Sequence, residues 1–170
     1  MRVIVLFALA FLPMLIEARR AAANERARLA RGGIEAPADV YTVMRVAYPA
    51  AFLLMIVEHA VSGGASRSAA IAGLAVFIAA KALKWWAILS LGAAWTFRVI
   101  TVPGAPLVNG GPYRLMRHPN YVAVTGELAG FAVTAGAVVT GPLVTVLFGI
   151  LMLKRIAIEE RALGLSGPNP

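Results

Sequence analysis

AAIAGLAVFIAAKALKWWAILSL, residues 69–91, decides the fold. Only Lys81 and Lys84 carry charge in it. A hydrocarbon core of ~30 Å takes about 20 mostly apolar residues as helix, so the run reads as a membrane-spanning helix. Working outward, four more runs share its character: Met1–Ile16, Val40–Ala60, Tyr121–Val139 and Leu143–Ile158. The pattern predicts an all-α integral membrane protein with about five transmembrane helices. Residues 1–170 form one membrane domain, in which 1–91 supply three helices, 92–163 a loop and two more, and 164–170 a flexible tail. Thr140-Gly141-Pro142 reads as the tight turn that folds the last two runs into a hairpin. The first run is short for a span. Glu17, Arg19 and Arg20 follow it directly, which favours a retained helix borrowing from the next segment over a cleaved signal peptide.

Composition points the same way. Of 170 residues, 60% are hydrophobic and 14% charged, with mean hydropathy +0.79, whereas a soluble domain carries roughly 25% charged residues. The net charge of +8 is spread between apolar runs instead of forming one patch, so a nucleic-acid partner is not expected. There is no cysteine, and His59 and His118 are the two histidines. Disulfides, thiolate chemistry and a multi-histidine metal site are therefore excluded, and no metal is expected. Basic residues gather after the first run (Arg19, Arg20, Arg26, Arg28, Arg31), between the third and fourth (Arg98, Arg114, Arg117) and at the end of the fifth (Lys154, Arg155, Arg161). Arg2 and Arg67 alone mark the opposite side. The positive-inside rule then predicts an outside N-terminus, a cytoplasmic C-terminus and an odd number of crossings. Trp85, Trp86 and Trp95 read as an interfacial belt, with Lys81 and Lys84 snorkelling toward the same surface.

The segment Gly92–Tyr121 carries Pro103, Gly104, Pro106, Gly110, Gly111, Pro112 and Pro119, so it cannot be one helix. It is also apolar and aromatic, which fits an ordered functional loop better than disorder. Within Gly111-Pro112-Tyr113-Arg114-Leu115-Met116-Arg117-His118-Pro119-Asn120-Tyr121, Pro119 suits the first turn of a helix. His118 and Asn120 then sit at its N-terminus, where free N–H groups favour an anionic group; a capping histidine is the plain alternative. Glu127, two turns further, is costly in a membrane and faces the bundle interior, with Lys154 or Arg155 as a structural partner or a cavity as a functional one. Arg155 and Glu159 share a face at i, i+4, and either pair with each other or line a site. Glu58 and His59 fall at the other end and read as structural.

Leu107-Val108-x-x-Gly111-x-Tyr113, then Arg117-His118-Pro119-Asn120-Tyr121, then Arg155-x-x-x-Glu159-Glu160 resemble the isoprenylcysteine carboxyl methyltransferase family. The stretch Lys84–Gly92, with Trp95-Thr96-x-Arg98-Val99, is similar to a bacterial branch associated with O-methylation of long-chain phenolic lipids. The resemblance implies S-adenosylmethionine as cofactor and a lipophilic acceptor drawn from the membrane. It implies that Leu107, Val108 and Tyr113 line the adenosine end, and that His118, Pro119, Asn120 and Tyr121 form a wall. Glu159 and Arg98 would contact the cofactor, and Arg155 the acceptor. Methyl transfer from a sulfonium is an in-line displacement that needs alignment and exclusion of water. A carboxylate acceptor needs no base, whereas a phenol would use His118 or Glu159. The chain stops soon after Arg161-Ala162-Leu163, where the carboxyl methyltransferases continue, so the acceptor stays open between a prenylcysteine carboxylate and a phenol. The rivals are a phospholipid N-methyltransferase and a non-catalytic membrane scaffold or transporter. A transporter would show interrupted helices or inverted repeats, and neither is visible. Oligomeric state is not legible.

Overall fold

The computed structural model describes residues 3–37 and 39–165. Arg2 and positions 166–170 of the expected tail lie outside the described residues. Five helices make the body: α1 (Val3–Ala30), α2 (Tyr41–Ser62), α3 (Arg67–Leu91), α4 (Pro119–Ala135) and α5 (Thr140–Ala162). Between them run two short 3-10 turns, Gly92–Ala94 and Gly111–Arg114, and a two-stranded antiparallel ladder. In that ladder β1 (Ile34–Glu35) pairs Ile34 with Thr101 and Glu35 with Ile100 of β2 (Ile100–Thr101).

The helical reading holds, with corrections. By length and apolarity, α2, α3 with its following turn, and α5 can each cross a membrane. That is three of the five expected crossings. The other two helices fall short for different reasons: α4 has 17 residues, and α1 carries Glu17, Arg19, Arg20 and Glu25 along its 28 residues. The helix begun by the first run does not stop at Ile16 but continues to Ala30. The continuation contains Ala18, Ala21, Ala22, Ala23 and Ala27, the best helix formers. Arg19, Arg20, Arg26 and Arg28 are therefore helical and not in a loop. Thr140-Gly141-Pro142 is not the hairpin turn either; it opens α5, where a proline needs no hydrogen bond for its missing N–H. The turn is made by residues 136–139, with Gly136 at φ 70°. The Glu58 carboxylate caps α5, accepting from Val139 N at 2.9 Å, Thr140 N at 2.7 Å and Thr140 Oγ1 at 2.6 Å. His59 Nδ1 lies 2.7 Å from the Ala135 carbonyl. Both residues serve the fold, as read.

The tightest helix pair is α3 with α4, because glycines let the backbones meet. A Cβ at Gly130 would come within 2.6 Å of Phe77 N, and one at Gly126 within 2.9 Å of Ala80 Cβ. Lipid offers helices no hydrophobic drive to associate, so such close packing supplies the attraction. Phe52, Met55, Leu128 and Phe131 fill the centre, each at most 1% exposed. Large apolar side chains such as Ile4, Val61, Val146 and Leu153 point outward, as lipid-facing positions do.

Inside the bundle lies a cluster of four charges. Lys81 Nζ is 2.9 Å from Glu17 and 3.0 Å from Glu127; Lys84 Nζ is 2.7 Å from Glu17 and 3.4 Å from Glu127. The Tyr48 hydroxyl donates to Glu127 as well. Lys81 and Lys84 therefore turn inward instead of snorkelling, and Glu127 pairs with them and not with Lys154 or Arg155. Removing one member strands an opposite charge in a dry core, at a cost of about 3–5 kcal/mol. Lys84→Met is accordingly expected to lose that much stability in detergent unfolding titrations. Lys84→Met combined with Glu127→Leu is expected to lose clearly less, and an equal or larger loss in the double variant would remove the coupling.

Candidate active site

Three elements converge where α4 begins and α5 ends. The first is the loop after α3, which α1 and the β1 segment stitch down. Asn24 Nδ2 donates to the Gly92 and Trp95 carbonyls at 3.0 and 2.7 Å. Glu25 Oε1 accepts the amides of Phe97 and Arg98 at 3.1 and 3.0 Å. The Arg28 guanidinium donates to the Ile100 carbonyl at 2.7 Å, and Asp39 Oδ2 accepts Val99 N at 2.8 Å. Trp95, expected in an interfacial belt, is 3% exposed and packs with Ala21 and Ile88; Trp86 does face outward. The loop is irregular and ordered, as its prolines and glycines require. Its return is anchored at Gly111, with φ 59°, where a Cβ would run into the Ser90 side chain.

The second element is the start of α4. His118 occupies the N-cap position without capping through its side chain, and Pro119 takes the first turn, as the spacing predicts. The ring instead faces α5, with Nε2 3.0 Å from Glu160 Oε1, and lies 5.6 Å from the Tyr121 ring, centroid to centroid. The Tyr121 hydroxyl donates to Glu159 Oε2 at 2.6 Å. Among the described residues, the buried Asn120 Oδ1 has no hydrogen-bond donor. A buried acceptor without a donor is uncommon in proteins and invites one from a ligand or water.

The third element is the last two turns of α5. Arg155, 6% exposed, does not pair with Glu159. It donates to the Asp39 carboxylate and to the Phe97 carbonyl, and it also reaches the Tyr121 hydroxyl. One guanidinium thus joins α5, the loop after α3, the segment before α2, and α4. Five N–H donors in a planar fork make arginine suited to such a junction. Burial, and after it the Glu159 charge, push the Tyr113 hydroxyl above its ordinary range, so it remains a donor at neutral pH.

His118, Pro119, Asn120, Tyr121, Arg155 and Glu159 therefore stand at one end of the bundle, with Tyr113 within reach of the Glu159 charge. Leu107, 48% exposed, and Val108 are not drawn into this cluster by any hydrogen bond. Arg98 sits apart, paired with Glu25 at 3.1 Å and Glu35 at 2.8 Å. It borders a polar cavity of about 410 Å³ whose wall also includes Asp39, Tyr41 and Arg45. A second, apolar cavity of about 440 Å³ lies between α4 and α5 and ends at His118 and Tyr121. Among the described residues no group of three acidic, histidine or cysteine side chains is placed to hold a metal. Asp39 and Glu25 escaped the sequence reading. Asp39 does carry a local signal, an aspartate whose Oδ1 accepts the Tyr41 amide at 3.0 Å where α2 starts. Its bond to a residue 116 positions away leaves none.

The isoprenylcysteine carboxyl methyltransferase family model matches residues 72–164, more than half of the chain. A Bacillus subtilis (strain 168) protein described as uncharacterized protein YpbQ is 32% identical over 140 residues, covering 82% of this chain and 83% of that protein. An uncharacterized protein of Haemophilus influenzae is 26% identical over 141 residues, covering 82% of each chain. No solved structure matches the chain.

The Tyr113–Glu159 proximity is open to titration. Replacing Glu159 by Gln removes a charge that opposes ionisation, so Tyr113 is expected to ionise at lower pH than in the parent, still above the ordinary range because burial persists. Ultraviolet absorbance titration, with Tyr113→Phe as the subtraction control, reads the shift. An unchanged or raised midpoint would place the two groups apart.

Proposed function

The chain belongs to the isoprenylcysteine carboxyl methyltransferase family, and from that premise we propose that it is an S-adenosylmethionine-dependent O-methyltransferase acting on a lipophilic acceptor at the cytoplasmic face of a bacterial cell membrane. The observation that carries the reading is the junction of His118 and Tyr121 on α4 with Arg155, Glu159 and Glu160 on α5. A scaffold has no need to gather two carboxylates, a histidine and a tyrosine at the mouth of an apolar groove.

The residues present suit the cofactor. Asn120 Oδ1 is a buried acceptor without a donor among the described residues, and the cofactor's amino groups would supply one. When bound, S-adenosylmethionine contributes an electrophilic methyl group on a sulfonium. Tyr113, His118, Pro119, Asn120, Tyr121 and Glu159 would surround it, with Leu107 and Val108 closing over the adenosine end and Arg98 at the polar cavity. Glu159, held by Tyr121, offers negative charge to the cation. Arg155 positions the loop through Asp39 and Phe97, and its guanidinium would orient a carboxylate acceptor. For a phenolic acceptor, His118 would take the proton on a ring nitrogen while the Glu160 carboxylate steadies the resulting imidazolium. The remaining task is to align the reacting atoms and exclude water.

The test is methyl transfer from labelled cofactor to prenylcysteines, alkylresorcinols and phosphatidylethanolamine, with Glu159→Ala and Arg155→Ala in parallel. The expected result is transfer to an oxygen acceptor by the parent. Both variants are expected to lose turnover while keeping a cooperative unfolding transition. Near-parental turnover in either variant would overturn the site; transfer to phosphatidylethanolamine alone would make the protein an N-methyltransferase.

A further inference from the structure

The chain has eight acidic residues, and all of them are engaged away from the outer face of α1. Glu17 and Glu127 meet the two lysines, Glu25 and Glu35 meet Arg98, and Asp39 meets Arg155. Glu58 caps α5, and Glu159 and Glu160 hold Tyr121 and His118. Among the described residues, Arg19, Arg20 and Arg26 of α1, and Arg31 just after it, are therefore left without a carboxylate partner. Four like charges on so short a stretch repel one another. The same stretch supplies Asn24, Glu25 and Arg28, which hold the loop after α3.

Two of these arginines share a face. Glu17, Ala21 and Glu25 are the buried residues of this half of α1. At about 3.6 residues per turn, Arg19 and Arg26 fall together on the opposite side, and both are exposed. One and two turns earlier that side carries Leu15 and Leu12, 51% and 61% exposed. The outward surface thus changes from hydrocarbon to guanidinium between Leu15 and Arg19, over about 6 Å of helix. A phospholipid presents its parts in that order, chain and then anion. An acidic soluble protein or a nucleic acid would leave the leucines without a partner.

We infer that the outer face of α1 binds an anionic phospholipid, its chain against Leu12 and Leu15 and its headgroup at Arg19 and Arg26. Occupancy relieves the repulsion along α1 and steadies the loop that α1 holds. A lipid that binds only the folded helix stabilises it by mass action.

Native mass spectrometry of the protein in a neutral detergent reads single-lipid affinities. The parent is expected to prefer phosphatidylglycerol over phosphatidylcholine. Arg19→Gln combined with Arg26→Gln should lose about fivefold of that preference per arginine, the worth of one basic residue at an anionic surface. Arg19→Lys with Arg26→Lys should keep most of it. Arg114→Gln with Lys154→Gln removes equal charge from exposed positions off α1 and should leave the preference unchanged. In nanodiscs, amide exchange at Phe97 and Arg98, whose N–H groups Glu25 accepts, should slow when phosphatidylglycerol is added to phosphatidylcholine. The α1 glutamine pair should lose that slowing. A preference unchanged in that pair, or lost equally in the Arg114 and Lys154 pair, would overturn the site. Exchange indifferent to phosphatidylglycerol, with binding intact, would overturn the coupling to the loop. Capture of an acidic peptide, with no preference between the lipids, would overturn the lipid and make the face a protein-docking surface. None of these readouts uses turnover, so they stand or fall apart from the methyltransferase reading.

Discussion

Two lysines and two glutamates neutralise one another where the bundle is driest. Glu17 comes from α1, Lys81 and Lys84 from α3, Glu127 from α4, and Tyr48 of α2 adds a hydrogen bond. Each charge taken singly would be costly at this depth. Taken together they constrain four helices to one register, because sliding any of them by a turn would separate opposite charges in a medium that screens poorly. The close glycine contacts between α3 and α4 fix the distance of approach, and the ion cluster fixes which residues lie opposite.

That register has consequences at the site. With α1 held against α3 by Glu17, its next turns bring Asn24, Glu25 and Arg28 to the loop that follows α3. The loop's irregular backbone, which could not satisfy its own polar groups, finds acceptors and donors on α1 instead. Phe97 and Asp39 are thereby presented to Arg155, and Arg155 in turn stands beside Tyr121. The chain uses its N-terminal half, much of it outside the residues that match the family, to hold the C-terminal half in shape.

The two cavities differ in the character of their walls. One is polar and bordered by Glu35, Arg45 and Arg98; the other is lined by hydrocarbon between α4 and α5. Asp39 lines the polar one and Tyr121 the apolar one, and Arg155 contacts both residues.

Hydrophobic run length was enough to determine the helices of α2, α3 and α5 to within a few residues, since spanning segments must satisfy their own backbone. The motif residues of α4 and α5 were legible too, because His118-Pro119 marks a helix start and Arg155 and Glu159 share a face by local periodicity. What periodicity could not carry was partnership. Lys81 and Lys84 looked like surface anchors and Trp95 like an interfacial residue, and the spacing of Arg155 and Glu159 left pairing and lining a site equally open, because each of these readings used only neighbours along the chain. Their actual partners are 43 to 116 positions away for Lys84 with Glu127 and Arg155 with Asp39. Only the packing of five helices decides which distant charge a buried side chain meets. In a low-dielectric interior it must meet one, and that demand belongs to the tertiary structure.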